Sequence, residues 1–589
     1  MKQSLRTAAV VLVILLLFAL PLALASAVGA SAPEAVWLEA PGWSRARLVA
    51  TTALDEPVPV AVDPDGGAYL LVVHAEGAQR QPRVVALDAR AQVRWEHAFP
   101  APPAPPRDLQ MVWDGQGLAL FWISGRELYG ARIDAQGAAP TEPQVISGQV
   151  SAVSYSVAAS GPGRGAVWFS GTDATPGLFA VPLDDLGRPP ERVEGAGRQP
   201  SIRFDESGAL HAIWLADAAA DSVEIWYGAY EPSGAARVRQ PVARIDGVGP
   251  SLSVQGPWLG IDQAHTYVLW STLITGGRNA GASLAHYVSF PAGQPAQASA
   301  AQLLTVPRGE GLAYTSLPPA GLLAGPRVPI AGLTPAQGQV PTELSVSALP
   351  GPELAVAVTS SNAVRQGQTR SQVGTLFLQG GAPVSYQRLS VGQRSALTPA
   401  LAADQGRHLY VTWREVSARG SVVYFAGTAP GLRAALSELS TDDVLRITSD
   451  VIFGMIAGVV VAPLTMLLWF VPPMVVLLAT WVVRRRSARW GALASIALAL
   501  AAYWGAKLLI LGQMRDYVPF SAWVPIIPPW LALPLQLGVP LLVAGLALAA
   551  AWGYTYRRGQ PSAPLFVVIY AVIDSLCTMA LYGEQLVAG

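Results

Sequence analysis

Of the 589 residues only Cys577 carries a thiol, so no intramolecular disulfide can form. The chain must be held by burial and hydrogen bonds, for which a soluble region of about 400 residues suffices. Lysine is almost as scarce: Lys2 and Lys507 stand against 37 arginines. Charged residues make up 13% and balance to a net charge of zero, so no nucleic-acid partner is expected. The six histidines (His74, His97, His211, His265, His286 and His408) are scattered, without the paired spacing that holds a metal. There is no Gly-x-Ser-x-Gly elbow, P-loop or Cys-x-x-Cys. The reading therefore assigns no catalytic residue, no cofactor and no metal.

Hydrophobic runs, in contrast, are abundant, and they fall at the two ends. Lys2 and Arg6 precede an apolar run from Ala8 to Leu20, then Pro21 and the small-residue sites Ala25-Ser26-Ala27 and Ala30-Ser31-Ala32. That is the pattern of a secretory signal over 1–32, either cleaved or kept as an anchor. At the other end four segments are apolar enough to be membrane helices: 451–483, 490–511, 530–556 and 563–583. The first exceeds the 20 or so residues a bilayer needs, which predicts a kink at Pro463, Pro472 and Pro473, or a re-entrant hairpin.

Basic residues set the orientation. Arg484, Arg485, Arg486 and Arg489 lie in the 484–489 connection, and Arg557 and Arg558 in 557–562. Both belong on the cytoplasmic side. The 512–529 loop, the 584–589 tail and everything from residue 33 to the first span then face outward, in agreement with an export signal. Residues 431–450 read as a stalk with a helix-capping signal at Ser440-Thr441-Asp442-Asp443.

The 33–430 region repeats itself. An apolar strand, an acidic turn and a second strand recur around Asp88, Asp134, Asp184 and Glu231, at spacings of 46, 50 and 47. Gly137, Gly187 and Gly234 follow three residues after the last three acids, where Gly can take a positive φ; Ala91 holds that place after Asp88. Between these units lies a second one, a turn followed by an alternating strand that often ends in Trp: Trp122, Trp168, Trp214, Trp270 and Trp413. Two hairpins per 45–50 residues make a four-stranded unit, and such units at that period are propeller blades. First strands starting near Val58, Leu109, Val153, Ser201, Ser251, Leu344 and Pro399 predict about seven blades, with a Pro/Gly/Ala-rich insertion at 291–340. The Glu34–Leu48 stretch could close the ring on the last blade. The Trp residues are expected to pack between blades, and the turn acids Asp63, Asp114, Asp205 and Asp404, with Asp88, Asp134 and Asp184, to stabilise turns.

On these repeats the chain resembles bacterial extracytoplasmic β-propellers of the sialidase-like and PQQ-repeat-like kind. The resemblance covers about two thirds of the sequence and implies a fold, since propellers host unrelated functions. No unit fits the sialidase Asp-box Ser-x-Asp-x-Gly-x-Thr-Trp in full. Pro326-Arg327-Val328-Pro329 loosely resembles the arginine motif of those enzymes but sits in the insertion, so no role is carried over. The scarcity of lysine beside abundant Ala, Pro and Gly also suggests a high-GC bacterial genome.

Within the spans two charges stand out. A charge at the bilayer centre costs about 3 kcal/mol on insertion scales and ~10 or more in simulations. Asp574 lies near the middle of the fourth span and Lys507 toward the outer end of the second. Lysine could point inward to Asp574, roughly 6 Å away in depth, or snorkel outward toward Glu584. Gly491, Ser495, Ala499, Ala502 and Ala506, and the stretch 544–551, give small-residue faces suited to close helix packing. The expectation is a membrane protein whose exported all-β propeller binds or senses a protein or glycan partner, with the lipid bilayer as its other contact. A propeller hydrolase of envelope polysaccharide and an accessory subunit of a transport or secretion complex are the alternatives. Converging carboxylates in the channel would favour the hydrolase.

Overall fold

The computed structural model describes residues 42–437, apart from 54, 78, 139, 232–235, 279, 308–327, 331–337, 347–352, 366–367, 391–394 and 418–419, together with 441–483, 490–510, 529–557 and 562–582. The chain divides into two compact units, 35–438 and a helical unit formed mainly by 439–589. The expected signal segment 1–32 lies outside the described residues, as do Arg484, Arg485, Arg486, Arg489, Arg558 and Glu584.

The first unit is a seven-bladed β-propeller, with one sheet per blade. The inner strands are Val60–Val62, Pro106–Trp113, Ser154–Gly161, Arg198–Phe204, Leu252–Ile261, Glu343–Val346 and Ala396–Ala403, numbered here as blades 1 to 7. Each blade is an antiparallel meander. The starts fall within a few residues of those read from the sequence, because turn chemistry and strand alternation repeat together. Blade 7 takes its outer strand, Arg47–Thr52, from the other end of the chain; it pairs antiparallel with Gly420–Gly427. This closing strand begins where the expected Glu34–Leu48 stretch ends. The 291–340 stretch is more than an insertion: Gln302–Leu303 is the outer strand of blade 5, and Val328–Pro329 adds a fifth strand to blade 6.

The core lies between blades. Trp122, Trp168, Trp214, Trp270 and Trp413 are all buried on second strands, as expected. Each contributes apolar area to the space between neighbouring sheets, at about 25 cal/mol per Å² buried. A short helix α1 (Pro430–Ser437) ends the unit, and its Leu432 is buried among Val58, Ala402, Tyr410 and Phe425.

Side chains stitch neighbouring inner strands together. Gln110 Oε1 accepts from Val157 N, Ser156 Oγ from Ile202 N, Ser201 Oγ from Leu259 N and Ser345 Oγ from Leu401 N, each at 3.1 Å. An inner strand has one unpaired main-chain edge, and a side chain of the preceding blade satisfies part of it. The inner strands of blades 2, 4, 5 and 7 are also bulged, with Asp108, Gln199, Gly256 and Thr398 at positive φ. Three of these bulge amides bond the blade before: Asp108 N to Glu56 Oε2 at 2.6 Å, Gln199 N to Ser154 Oγ at 3.1 Å, and Thr398 N to Glu343 Oε2 at 2.6 Å. These contacts hold residues in a conformation that a β-branched Thr rarely adopts.

The turn acids act locally. Asp88 Oδ1 accepts from the Arg90 and Gln92 amides, and Asp134 Oδ1 from those of Gln136 and Ala138. The expected positive φ is found at Gly137 (73°) and also at Ala91 (55°), so alanine fills the left-handed place in the unit that lacks glycine. Gly187 is not left-handed; the turn after Asp184 is closed instead by main-chain bonds at Pro182 and Asp185.

Among the described residues the helical unit has four helices: α2 (Thr441–Val483), α3 (Trp490–Ile510), α4 (Pro529–Arg557) and α5 (Ala563–Tyr582). Helix α2 begins at Thr441 and runs through Pro463, Pro472 and Pro473 as one element, so the described helix is not a re-entrant hairpin and takes up the last ten residues of the expected stalk. Among the described residues two helical stretches are long and apolar enough to cross a membrane, Gly538–Thr555 and Ala563–Tyr582. Trp469–Val482 and Leu493–Lys507 are shorter apolar stretches. Buried residues recur every fourth place: Ser495, Ala499, Tyr503 and Lys507 on α3, and Val543, Ala547, Ala551 and Thr555 on α4. Ser495 and Ala499 of the expected α3 face, and Ala547 and Ala551 of the 544–551 stretch, lie on these stripes, whereas Ala502 and Ala506 are only half-buried and Tyr503 and Lys507 take the packed places.

Replacing Gly137 by alanine sets a left-handed φ against a Cβ only 2.7 Å from the Trp95 ring. We expect Gly137→Ala to lower propeller stability by about 2–4 kcal/mol, read as a lower denaturant midpoint at unchanged slope.

Candidate functional site

One end of the propeller channel carries the starts of the inner strands. There Glu56 Oε2 holds the Asp108 amide, Arg107 pairs with the Asp108 carboxylate, and the Tyr155 hydroxyl donates to the Asp108 carbonyl. Burial pushes the Glu56 carboxyl above its ordinary range, and the Asp108 charge adds to this against the opposing pull of the Asp108 amide and Arg107. Burial also raises Asp108, opposed by Arg107. The Asp108 side chain is 45% exposed, so solvent screens much of that effect. Beside this pair a shallow cleft of about 510 Å³ is lined by Arg107, Arg126, Val153 and Asp173. Across the seam from blade 7, the buried Arg414 guanidinium donates to Asp55 Oδ1 at 2.7 Å, to Asp55 O at 3.1 Å and to Ser421 Oγ at 2.8 Å.

At the other end are the turns between first and second strands, where most of the remaining carboxylates are engaged. Asp63, Asp262 and Asp404 each accept main-chain amides and a Tyr hydroxyl: Tyr69 at 2.8 Å, Tyr267 at 2.6 Å and Tyr410 at 3.1 Å. Asp114 pairs with Arg132 at 2.6 Å. Asp205 bonds His211 Nε2 at 3.0 Å, whose Nδ1 meets the Tyr227 hydroxyl at 2.6 Å. Burial pushes Asp205 up, but hydrogen bonds from Ser207, His211 and the Ala209 amide outweigh it and hold the carboxyl below its ordinary value. His211 is thus buried in a structural relay, and His408 bonds Asp404 at 2.9 Å. No cluster of three or more metal-binding side chains occurs among the described residues.

In the helical unit the polar groups converge. Lys507 Nζ on α3 lies 2.5 Å from Asp574 Oδ2 on α5 and 2.7 Å from Thr578 Oγ1. The Tyr503 hydroxyl donates to Asp574 Oδ2 at 2.7 Å, with Ser575 Oγ 2.9 Å away. The ammonium also sits 4.9 Å from the Trp504 ring centre and 5.9 Å from that of Trp469. Lys507 therefore points inward, since the four-residue spacing puts it on the packed face of α3, opposite the Asp574–Thr578 stripe of α5. One Asp574 oxygen, Oδ1, is enclosed without a hydrogen-bond partner.

No protein-family model matches the chain, and no curated protein matches it. Solved structures do. A PL25 ulvan lyase aligns at TM-score 0.42 and 10% identity, over 65% of this chain and 95% of that one. A protein of unknown function from Dyadobacter fermentans aligns at 0.35 and 9%, over 65% and 98%. The N10 neuraminidase-like protein of a bat influenza virus (A/little yellow-shouldered bat/Guatemala/060/2010) aligns at 0.30 and 10%, over 66% and 98%. The likeness is one of fold.

Sequence reasoning missed the Glu56–Asp108 pair and the strained bulges. A signal was present: Gln199-Pro200, Gly256-Pro257 and Thr398-Pro399 recur at equivalent points of three inner strands. Of the charges singled out in and beside the apolar segments, the structure brings Lys507 and Asp574 together, while Glu584 lies outside the described residues.

Two outcomes follow. Lys507→Met or Asp574→Leu alone leaves an unpaired buried charge and should cost about 3–5 kcal/mol, whereas the double change should recover most of it; unfolding in detergent reads both. A carboxyl whose folded pKa is raised stabilises the fold below its unfolded pKa and loses that stabilisation as pH rises through the folded value. Glu56→Gln should therefore gain stability relative to the parent as pH is raised from about 4 to 7, and melting series across that range would show the trend.

Proposed function

We propose that this is a membrane-anchored recognition protein, whose propeller binds a protein or glycan outside the cell and whose four helices hold it in the bilayer. The observation that carries this reading is an inversion of polarity between the two units. The propeller buries its aromatic residues and exposes charge. The helical unit exposes Leu541 at 69%, Val460 at 68% and Trp481 at 64%, while Lys507 and Asp574 are shielded inside. In water such a surface would leave a large apolar area uncovered; in lipid it is the favourable arrangement. The shorter apolar stretches of α2 and α3 complete four spans on this reading, with the 484–489 and 557–562 connections cytoplasmic by their arginines. The signal-like 1–32 segment places the propeller outside.

Hydrolysis of envelope polysaccharide is the second reading, favoured by the Glu56–Asp108 pair. Burial raises both neighbouring carboxyls toward their neutral form, and a neutral carboxyl is the proton donor that acid-assisted glycosidic cleavage needs.

Purification of the full chain in mild detergent, with mass spectrometry of retained partners, tests the first reading. Asp574→Asn should leave partners of the propeller in place; their loss would sink an autonomous recognition domain. The same preparation incubated with envelope polysaccharide should leave chain length unchanged. Shortening that Glu56→Gln abolishes would establish the hydrolase instead.

A further inference from the structure

Arg203 is the second-to-last residue of the blade 4 inner strand, two places before the turn aspartate Asp205. At the corresponding place blades 1, 2, 5 and 7 carry Ala61, Val112, Gly260 and Ala402, so the charge belongs to blade 4 alone among them. Its side chain reaches past blade 5, where Gly260 presents no side chain. Nη2 lies 3.5 Å from the Val346 carbonyl at the end of the blade 6 inner strand. The guanidinium thus spans two blade steps along the wall of the channel.

Its hydrogen-bonding capacity is almost unused. Val346 takes one of five N–H donors; the other four find no partner among the described residues, and Nε is enclosed without an acceptor. Among the described residues no carboxylate pairs with the charge. Burial alone moves its pKa, down to about 10, so the group stays protonated at neutral pH. The side chain as a whole is half-buried, so the enclosed Nε is a donor withdrawn from water without a partner to replace it.

Just beyond Arg203 the channel mouth is straddled. Arg407 Nη2 in the blade 7 turn lies 3.7 Å from Glu206 Oε1 in the blade 4 turn, a contact between blades three steps apart. Arg203 therefore sits on the inner side of a bridged end.

We propose that Arg203 anchors an oxyanion site on the channel floor, taking a carboxylate or a sulfate group into the fork of its guanidinium. Planar, bidentate recognition of an oxyanion is what arginine does best. The anion belongs either to an acidic sugar of a glycan or to a small free molecule. The inference rests on the propeller being the recognising unit, but its test reads anion binding directly, so partner capture can fail while this site stands.

The full chain in detergent is titrated calorimetrically with glucuronate, acetate and inorganic sulfate at constant ionic strength, with glucose as the uncharged control. The expected result is one-site saturation by the anions and none by glucose, with affinity falling about tenfold or more in Arg203→Gln. Arg203→Lys, which keeps the charge but not the fork, should fall in between, and it carries the comparison should the glutamine variant not fold. Tighter binding of glucuronate than acetate assigns the oxyanion to an acidic sugar, and equal binding assigns it to small carboxylates; both uphold the site. Absence of saturable anion binding, or affinity unchanged in either variant, overturns it.

Discussion

Everything in the propeller depends on closure of the ring. A row of seven sheets left open would expose one inner and one outer face at its ends, each as apolar as the seams between the other blades. Closure comes from Arg47–Thr52 pairing with Gly420–Gly427, backed by Ser44, whose amide bonds the Gly427 carbonyl at 2.8 Å and whose hydroxyl accepts the Gly427 amide. On the inner side Thr412 Oγ1 donates to the Val58 carbonyl at 2.7 Å, and Arg414 grips Asp55. Joining segments so far apart in sequence carries a loop-closure cost that grows only logarithmically with length. One hydrogen-bonded seam is therefore enough to fix a channel that carries Glu56 and Asp108 at one end and Arg203 toward the other.

The two units, one exposing charge and the other exposing apolar side chains, use the same residue types inside. Tyrosine shows this well. In the blades, Tyr69, Tyr267 and Tyr410 bring a hydroxyl to a turn carboxylate while their rings fill the seams. In the bundle, Tyr503 brings its hydroxyl to Asp574 and turns its ring edge against Tyr570. Both uses satisfy a buried acceptor with a side chain that also supplies apolar area. What differs is the outside of each unit.

Blade number and blade starts were legible in the sequence because each blade repeats two turn signals and a Trp-bearing strand at one period. The buried place of those Trp residues was legible for the same reason, while the small-residue helix faces were legible only in part, through Ser495, Ala499, Ala547 and Ala551. The closing strand was readable only approximately, since a lone strand carries no period of its own. Asp184 was read as a turn acid by position, yet its turn closes through main-chain bonds. The channel residues were illegible. Glu56, Asp108 and Arg203 meet their partners across blades, and Val346 is 143 residues from Arg203; no local pattern encodes that proximity. Lys507 left two outcomes open in the sequence, and the four-residue packing stripe decided between them.

The near absence of lysine gives the buried ammonium of α3 a further meaning. Beyond Lys2 near the amino terminus, Lys507 is the only primary amine on any side chain of the protein. While it is clamped between Asp574 and Thr578 it is enclosed and chemically silent. An amine-reactive reagent that modifies Lys507 has therefore met a bundle whose α3 and α5 have parted, and the chain carries its own reporter of helix separation at one known position.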